Sequence, residues 1–530
     1  MIGYAPKEGF RLANRVDLDA MIPREDFGVM DDTFNMDLMS DFPLRNLAKD
    51  APVLKLLRKP DFQRETNHWT PEQVVTLIES FVDSEVIPSL ILWKAPSFIF
   101  VIDGGHRLSA LRAWMEDDYG DKHISRAFYK TEISEKQLKI AEATRKLTEK
   151  RVGRYTDLVA QVGLPVTGTN TKMHKRAQVL ATRALPLQWI QGNAAAAETS
   201  FYKINSQGTP LDDIETMLIK NRRGPIAIAA RAIVRAGSGH KYWSGFTPEC
   251  VAEIEKITVQ LYENVFKPEV DEPAKTLELP VGGSVSPLDA LSLLVELLCI
   301  TGTRQQGVKS IAQYAEDSTG KATVAVLRNC YEVLHRISGK DSGSLGLHPA
   351  VYFYNERGKY NRFLFLAMVS LVTEKLKSNN SGWFKEFTSA RSSLEQFLIT
   401  NKSLIAMLIV TLWKGQRIYK TRDLLDYLVN EFKIPGKTVS VEEAISFLGL
   451  SGRIVDVRNV TTTPSISDDT KAAVFMREAL PKAMHCPLCG GILDQTKSVS
   501  YDHIKGIQSG GLGDADNLQL VHPFCNSIKN

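Results

Sequence analysis

At 530 residues the chain is long enough for about three or four domains. Its 43% hydrophobic and 24% charged residues are ordinary for a globular protein, and a net charge of +4 is too small at this length to argue nucleic-acid binding by itself. Six cysteines are too few for a disulfide framework. Cys250, Cys299 and Cys330 sit in apolar or helical surroundings and are expected to be buried thiols, which leaves three cysteines near residue 500 for one metal site in a reducing cytosol. The first ten residues lack the charged start and apolar run of a signal peptide. The most apolar stretches, around 288–300 and 363–372, are too short and interrupted to span a bilayer, so a soluble, cytoplasmic protein with no membrane partner is expected.

Residues 1 to about 45 are mixed, turn acidic towards their end, and read as an arm or cap. From about residue 50 a loop carries Phe62, Gln63, Arg64 and Trp69 and leads into a helix. Thr70 with Gln73 predicts a capping box, with Pro71 at the first helical position. Two apolar runs of strand length follow, rich in Ile, Phe and Val. The second ends at Asp103, Gly104, Gly105, His106 and Arg107, after which helical spacing resumes. Strand, glycine turn and helix form the geometry of an anion site, because free N–H groups of the first helical turn can point at a phosphate. Arg107 would add a bidentate donor and His106 a titratable one. A tight turn in which Asp103 caps the helix fits the same residues equally well.

Phe62-Gln63-Arg64, followed by a strand ending in Asp-Gly-x-x-Arg, resembles the ParB-like domains whose signature is DGQQR. Residues 201–215 resemble the second signature of that group, an aromatic followed by Ile-Asn-x-x-Gly-x-x-Leu. The two matches occur in the expected order, about 100 residues apart. The resemblance implies a ParB/sulfiredoxin-like α/β domain over 46–225 that binds a nucleotide, with Gln63, Arg64, Asp103, Gly104, Gly105, His106, Arg107 and Asn205 around it. Such a domain is the nucleotide-handling half of GmrSD-type modification-dependent restriction systems, in which the nucleotide is either hydrolysed, as an NTPase, or only bound. Gly105-His106 departs from the family's Gln-Gln while the aspartate, first glycine and arginine are kept.

Residues 136–183 carry eleven Lys/Arg against three Asp/Glu, among them Arg145, Lys146, Lys150, Arg151, Arg154, Lys172, Lys175 and Arg176. Such a concentration is the electrostatic footprint expected for a phosphate backbone, or else a solvated helix face. Residues 226–458 read as successive helices without a fixed repeat, a linker domain between sensor and effector. Within it, 302–310 imitates a P-loop but has one residue too many before the lysine and follows a helix, so it is rejected. Residues 413–422 interleave basic and aromatic side chains, which suits either DNA contact or a helix connector. Residues 459–480 form a linker that opens with a polar, Pro-containing stretch.

In the final stretch, Cys486 and Cys489 form a Cys-x-x-Cys knuckle, and His522 and Cys525 a His-x-x-Cys pair. Four N/S ligands in two such pairs make a tetrahedral cage of the type zinc prefers in structural sites. His485 is an alternative ligand, disfavoured because His-x-x-Cys mirrors Cys-x-x-Cys. Between the pairs lie Asp502, His503 and Asn517, and Asn526 follows them, a set suited to a hard cation. His503 is the candidate general base, since imidazole can take a proton from water near neutral pH. The arrangement resembles the HNH (ββα-metal) endonucleases over residues 481–530. That resemblance places Asp502 on a catalytic Mg²⁺ (or other divalent cation) with the strand bent at that point, and makes Asn526 the second protein ligand. It also has Asn517 brace the loop that carries His503. Gly510, Gly511 and Gly513 would make a flexible loop between strand and helix. The module carries four lysines and four aspartates, so it is neutral, and the grip on DNA must come from residues 136–183 or a second protomer.

Taken together, the expectation is an α+β multidomain protein: an N-terminal arm (1–45), a ParB-like α/β domain (46–225), helices (226–458), a linker (459–480) and an HNH module (481–530). Its expected function is nucleotide-regulated cleavage of double-stranded phage DNA, modified or not, by a monomer or homo-oligomer holding structural Zn²⁺ and Mg²⁺. The rivals are a non-catalytic ParB-like DNA-binding regulator with a zinc knuckle, and an HNH toxin acting on host DNA or RNA.

Overall fold

The computed structural model describes residues 15–27, 38–63, 69–130, 133–165, 171–207, 213–270, 273–283, 290–302, 310–452 and 466–529. Arg64, the P-loop imitation at 303–309 and the start of the 459–480 linker lie outside them, as does the side chain of Asn205. The chain forms two compact units, Met1–Arg222 with Ser238–Tyr242, and Arg223–Gly237 with Trp243–Asn530.

The first unit is built on a six-stranded mixed sheet in the order β1-β3-β5-β4-β6-β2. Its strands are β1 (Arg24–Glu25), β2 (Asp41–Pro43), β3 (Leu57–Pro60), β4 (Leu90–Lys94), β5 (Ile99–Asp103) and β6 (Ala184–Ile190). β5 runs parallel to β3 and antiparallel to β4, and β4 runs parallel to β6. Side chains alternate across a strand, so the unbroken apolar runs of β4 and β5 must bury both faces. Leu90, Leu92, Ile99 and Val101 enter the larger core, whereas Trp93, Phe100 and Ile102 enter an aromatic cluster with Phe27, Phe62 and Phe201.

Helix α1 (Pro71–Val82) begins at the predicted capping box: Gln73 N donates to Thr70 Oγ1 at 3.3 Å, and Thr70 N donates to Gln73 Oε1 at 2.9 Å. Val74, Val75, Ile78, Phe81 and Val82 turn its apolar stripe into the larger core. Helix α2 (Gly105–Glu116) follows β5 directly. The stretch expected to be an arm is woven into this unit where it is described. Val16, Leu18, Met21 and Ile22 belong to the core, and β1 and β2 form the two edges of the sheet.

The basic segment behaves differently from the expectation. On α3 (Glu135–Arg151), Arg145 pairs with Asp121 at 2.8 Å and Asp117 at 2.9 Å, and Arg151 reaches Glu72 at 2.8 Å and also Glu79. On α4 (Thr171–Thr182), the buried Arg176 grips both oxygens of Asp83 at 2.6 Å. That fork holds the Asp83 carboxyl below its ordinary range. Arg154 binds Glu149 at 2.7 Å, and Lys146 lies 3.4 Å from Glu142. Most of these acids lie outside residues 136–183. The charge of the arginines is thus largely cancelled by neighbouring chain, while Lys136, Lys150 and Lys175 stay exposed.

Helix α5 (Ala194–Gln207) carries Phe201 of the first unit's aromatic cluster, and the second unit is mostly helical. Its main helices are α6 (Pro225–Val234), α7 (Pro248–Phe266), α8 (Leu291–Thr301), α9 (Lys321–Ile337), α10 (Arg362–Lys377), α11 (Ser381–Thr400) and α12 (Arg417–Phe432). Among the described residues no single helix is long and apolar enough to cross a membrane. Cys299 and Cys330 are buried as expected; Cys250 is only half-buried, because it lies in the first turn of α7. The basic and aromatic stretch 413–422 is a short connector up to Gln416 and the first turns of α12 from Arg417. Lys414–Gln416 makes one 3-10 turn, Arg417 donates to the carbonyls of Val410 and Leu412, and Arg422 pairs with Glu374 and Asp423. The unit ends in an antiparallel pair, β7 (Ser500–His503) with β8 (Leu518–Val521), and helix α13 (Pro523–Ile528).

Candidate metal centre and phosphodiester site

The quartet expected from spacing alone comes together. One ligand atom from each of Cys486, Cys489, His522 and Cys525 lies within 4.8 Å of the others. Nδ1 of His522 sits 3.3 Å from Cys489 Sγ and 3.8 Å from Cys525 Sγ. A tetrahedron with zinc bonds of about 2.0–2.3 Å has edges of this order. The other ring nitrogen, Nε2, is 3.1 Å from the carbonyl of Ile492, which suits Nε2–H donating and Nδ1 facing the sulfurs. Burial holds the imidazole below its ordinary pKa, in the neutral form a metal needs. Hydrogen bonds from Cys489 and Cys525 hold the Cys486 thiol far below its usual value, and the Cys525 thiol is raised in turn by its bonds to Cys486 and Cys489. Sulfurs so close cannot all ionise unaided, and a dication between them removes that conflict. His485 is exposed and stands outside the cluster.

The helical unit forms one wall of this centre. Arg391 on α11 is 1% exposed and Glu395, four residues on, 3%. Arg391 Nε donates to Glu395 Oε1 at 2.6 Å, and its Nη2 donates to the carbonyl of Gly346 at 2.8 Å. Glu395 Oε2 accepts the amide of Ile492 at 2.7 Å, beside the knuckle, and its Oε1 accepts the hydroxyl of Tyr352 at 2.9 Å. Gly346, at φ +58°, passes so close that a Cβ would stand 2.9 Å from His522 Cδ2. Further ties run from Phe524 N to Ser344 O at 2.9 Å and from Lys497 Nζ to Asn264 O at 2.8 Å. Arg391→Met would strand the buried carboxylate of Glu395. It is expected to cost roughly 3–5 kcal/mol, visible as a lowered Tm in calorimetry, whereas an unchanged transition would contradict this account.

Beyond the knuckle the chain builds two strands and a helix. The pairing is regular from Ser500↔Val521 to His503↔Leu518, and Ile504 N continues it to Asn517 O at 2.8 Å. The expected bend at Asp502 is therefore absent from the strand pairing. Alternation turns Ser500 and Asp502 towards α13 and sends Tyr501 and His503 to the other side. On the helix side, Asn526 Nδ2 donates to Ser500 Oγ at 2.8 Å and Tyr501 O at 3.1 Å, leaving Oδ1 as the atom for a cation. Asp502 is 7% exposed, and its Oδ2 accepts Gln519 Nε2 at 2.8 Å and Lys529 Nζ at 2.7 Å. Burial works to raise the Asp502 carboxyl. The bonds from Lys529 and Gln519 outweigh it and hold the group below its ordinary range, aided by the charges of Lys529 and His503. Asp502 and Asn526 thus lie on one side of the end of β7, and the half-buried His503 on the other.

Asn517 binds the loop in three places. Its Oδ1 accepts Lys505 N at 2.8 Å, and its Nδ2 donates to Lys505 O at 3.1 Å and Leu512 O at 2.7 Å. The loop containing Gly510, Gly511 and Gly513 joins β7 to β8, not strand to helix as expected, because β8 intervenes before α13. Sequence reading missed Gln519, Lys529, Arg391 and Glu395. Only the placement of Lys529 three residues after Asn526, on the same helical side, offered a signal.

In the sheet unit, the strand, glycine turn and helix are present as expected. Gly104 takes φ +99° and caps α2 without a side chain, so the first-turn N–H groups have no side-chain cap. Asp103 does not cap the helix. Its carboxylate binds Arg107, which also donates to Ser89 O at 3.1 Å. Gln63 lies against Gly105, where a Cβ would stand 3.2 Å from its amide. His106 stacks on Trp69 with centroids 5.4 Å apart. Phe62 and Phe201, far apart in sequence, meet at 5.0 Å between ring centroids, so the two signature stretches converge behind the turn.

Comparison with known proteins supports a nuclease of the restriction, phage-defence kind in general terms. Residues 45–223 match the family model described as GmrSD restriction endonuclease, N-terminal domain. The match spans well under half of the chain and stops short of the metal centre. No curated protein matches the chain, and no solved structure does.

Proposed function

We propose that the chain is a DNA endonuclease in which a zinc-stapled ββα module of HNH type cuts phosphodiesters and the N-terminal unit binds a nucleotide. The observation that carries the reading is the end of β7, where a buried carboxylate and an amide oxygen lie towards α13 and an imidazole lies just across the strand. Cys486, Cys489, His522 and Cys525 would hold zinc, which fixes the ends of a module too small to bury an adequate core. Asp502 and Asn526 supply the hard oxygen donors that suit Mg²⁺. A divalent ion held by these two residues would supply neutralising charge to the scissile phosphate and the leaving oxygen. His503 takes the proton from the attacking water, and Asn517 fixes the loop that follows it. A phosphodiester laid across the strand end would meet the imidazole on one side and the carboxylate on the other.

DNA is the substrate that a restriction-type family implies. Supercoiled plasmid incubated with the full chain and Mg²⁺ should be nicked or linearised, and EDTA should stop it; intact plasmid under both conditions would end the proposal. Unmodified and modified phage DNA, each with and without NTP, would then define the trigger.

For the nucleotide, support comes from the N–H groups of α2 beside Gly104 and from the Asp103–Arg107 pair that shapes the turn. Asp103→Ala and Arg107→Ala should each weaken NTP binding by at least about tenfold, the first by releasing the Arg107 side chain from the turn and the second by leaving a carboxylate unpaired beside the phosphates. An unchanged nucleotide titration for both would discard this role.

A further inference from the structure

Lys529 joins the two halves of the strand end. Its Nζ donates to Asp502 Oδ2 at 2.7 Å and to the carbonyl of His503 at 2.5 Å. The Asp502 side chain is 8% exposed and that of Lys529 30%, so the ion pair is shielded on the acid's side and open on the lysine's. Lys529 follows Asn526 by three residues, which sets both over the same stretch of β7. The ammonium therefore occupies one oxygen of the carboxylate that a divalent cation would need.

We infer that Lys529 is an internal competitor for the catalytic metal, a tethered monovalent cation that holds Asp502 until a divalent ion displaces it. The inference rests on the reading of Asp502 and Asn526 as metal ligands. Lys529 and Gln519 both donate to Oδ2, and an ammonium 2.7 Å from one oxygen repels a dication brought to either, so metal binding works against the Lys529 ion pair and loosens it. Asp502 stays ionised and aimed in the meantime, because Lys529 and Gln519 both donate to it. Once displaced, the ammonium remains tethered close to the His503 carbonyl and hence near the reacting phosphate. The design raises the metal concentration at which the site fills.

The test is calorimetric titration of Mg²⁺, and of Mn²⁺ with spectroscopic detection, into the zinc-loaded full chain. Lys529→Met removes the charge and keeps the apolar stem; it should tighten divalent binding about three- to tenfold. Lys529→Arg keeps the charge and should bind like the parent chain. Unchanged or weaker affinity in Lys529→Met, with binding still abolished by Asp502→Asn, would overturn the competitor role and leave the metal site standing. If Asp502→Asn binds Mg²⁺ as well as the parent does, the metal reading itself falls, and the inference with it.

Discussion

His503→Ala should reduce nicking of plasmid DNA by about 10²- to 10⁴-fold, the range typical for loss of a positioned general base. The structure makes this a clean substitution. The contacts that hold β7 in place at this residue are backbone ones, the pairing with Leu518 and the carbonyl that accepts Lys529, and alanine keeps both. Zinc content and Tm should therefore match the parent chain. Full residual cleavage by the variant would refute the assignment, and cleavage lost together with zinc would show that the ring has a structural task instead.

Cys525→Ser should have the larger effect on the protein itself. The module's own apolar cluster consists of Cys486, Leu493, Val521 and Cys525, flanked by Cys489 and Leu520, so its centre is largely made of the proposed ligands. A structural zinc is worth about 10–16 kcal/mol in small zinc-dependent folds, more than the roughly 3–6 kcal/mol that burying the two non-ligand side chains, Leu493 and Val521, contributes. The variant is expected to lose stoichiometric zinc and all cleavage, while far-UV circular dichroism keeps the signal of helices α6 to α12. Retained zinc by elemental analysis, with retained cleavage, would show that the quartet is not the staple proposed here.

What could be read from the sequence was local. The capping box of Thr70 and Gln73, the runs that became β4 and β5, the turn at Gly104 and the spacing of the cysteine quartet all depend on residues close together in the chain. The failures have a common physical cause, which is compensation from a distance. Arg145, Arg151 and Arg176 read as free positive charge because their acids, among them Glu72, Glu79, Asp83, Asp117 and Asp121, belong to other segments. Nothing local to Arg391 and Glu395 marks them as functional, and only tertiary packing reveals that they are buried. Strands as short as β1 and β2 carry no periodicity to detect, so the stretch that contains them looked like an arm. The straight β7 was hidden for another reason. Whether an Asp-His pair bends or alternates depends on the partner strand, and here β8 and Asn517 keep it regular.

The buried pair on α11 has a consequence for anyone wishing to transplant the cutting head. Fifty residues that look like a portable cartridge borrow a neighbour's arginine, glutamate and glycine as part of their own lining. A chimera carrying only residues 481–530 would leave Ile492 without its acceptor and His522 open on one flank. A graft that also brought α11 and the turn around Gly346 would take the missing wall along with it.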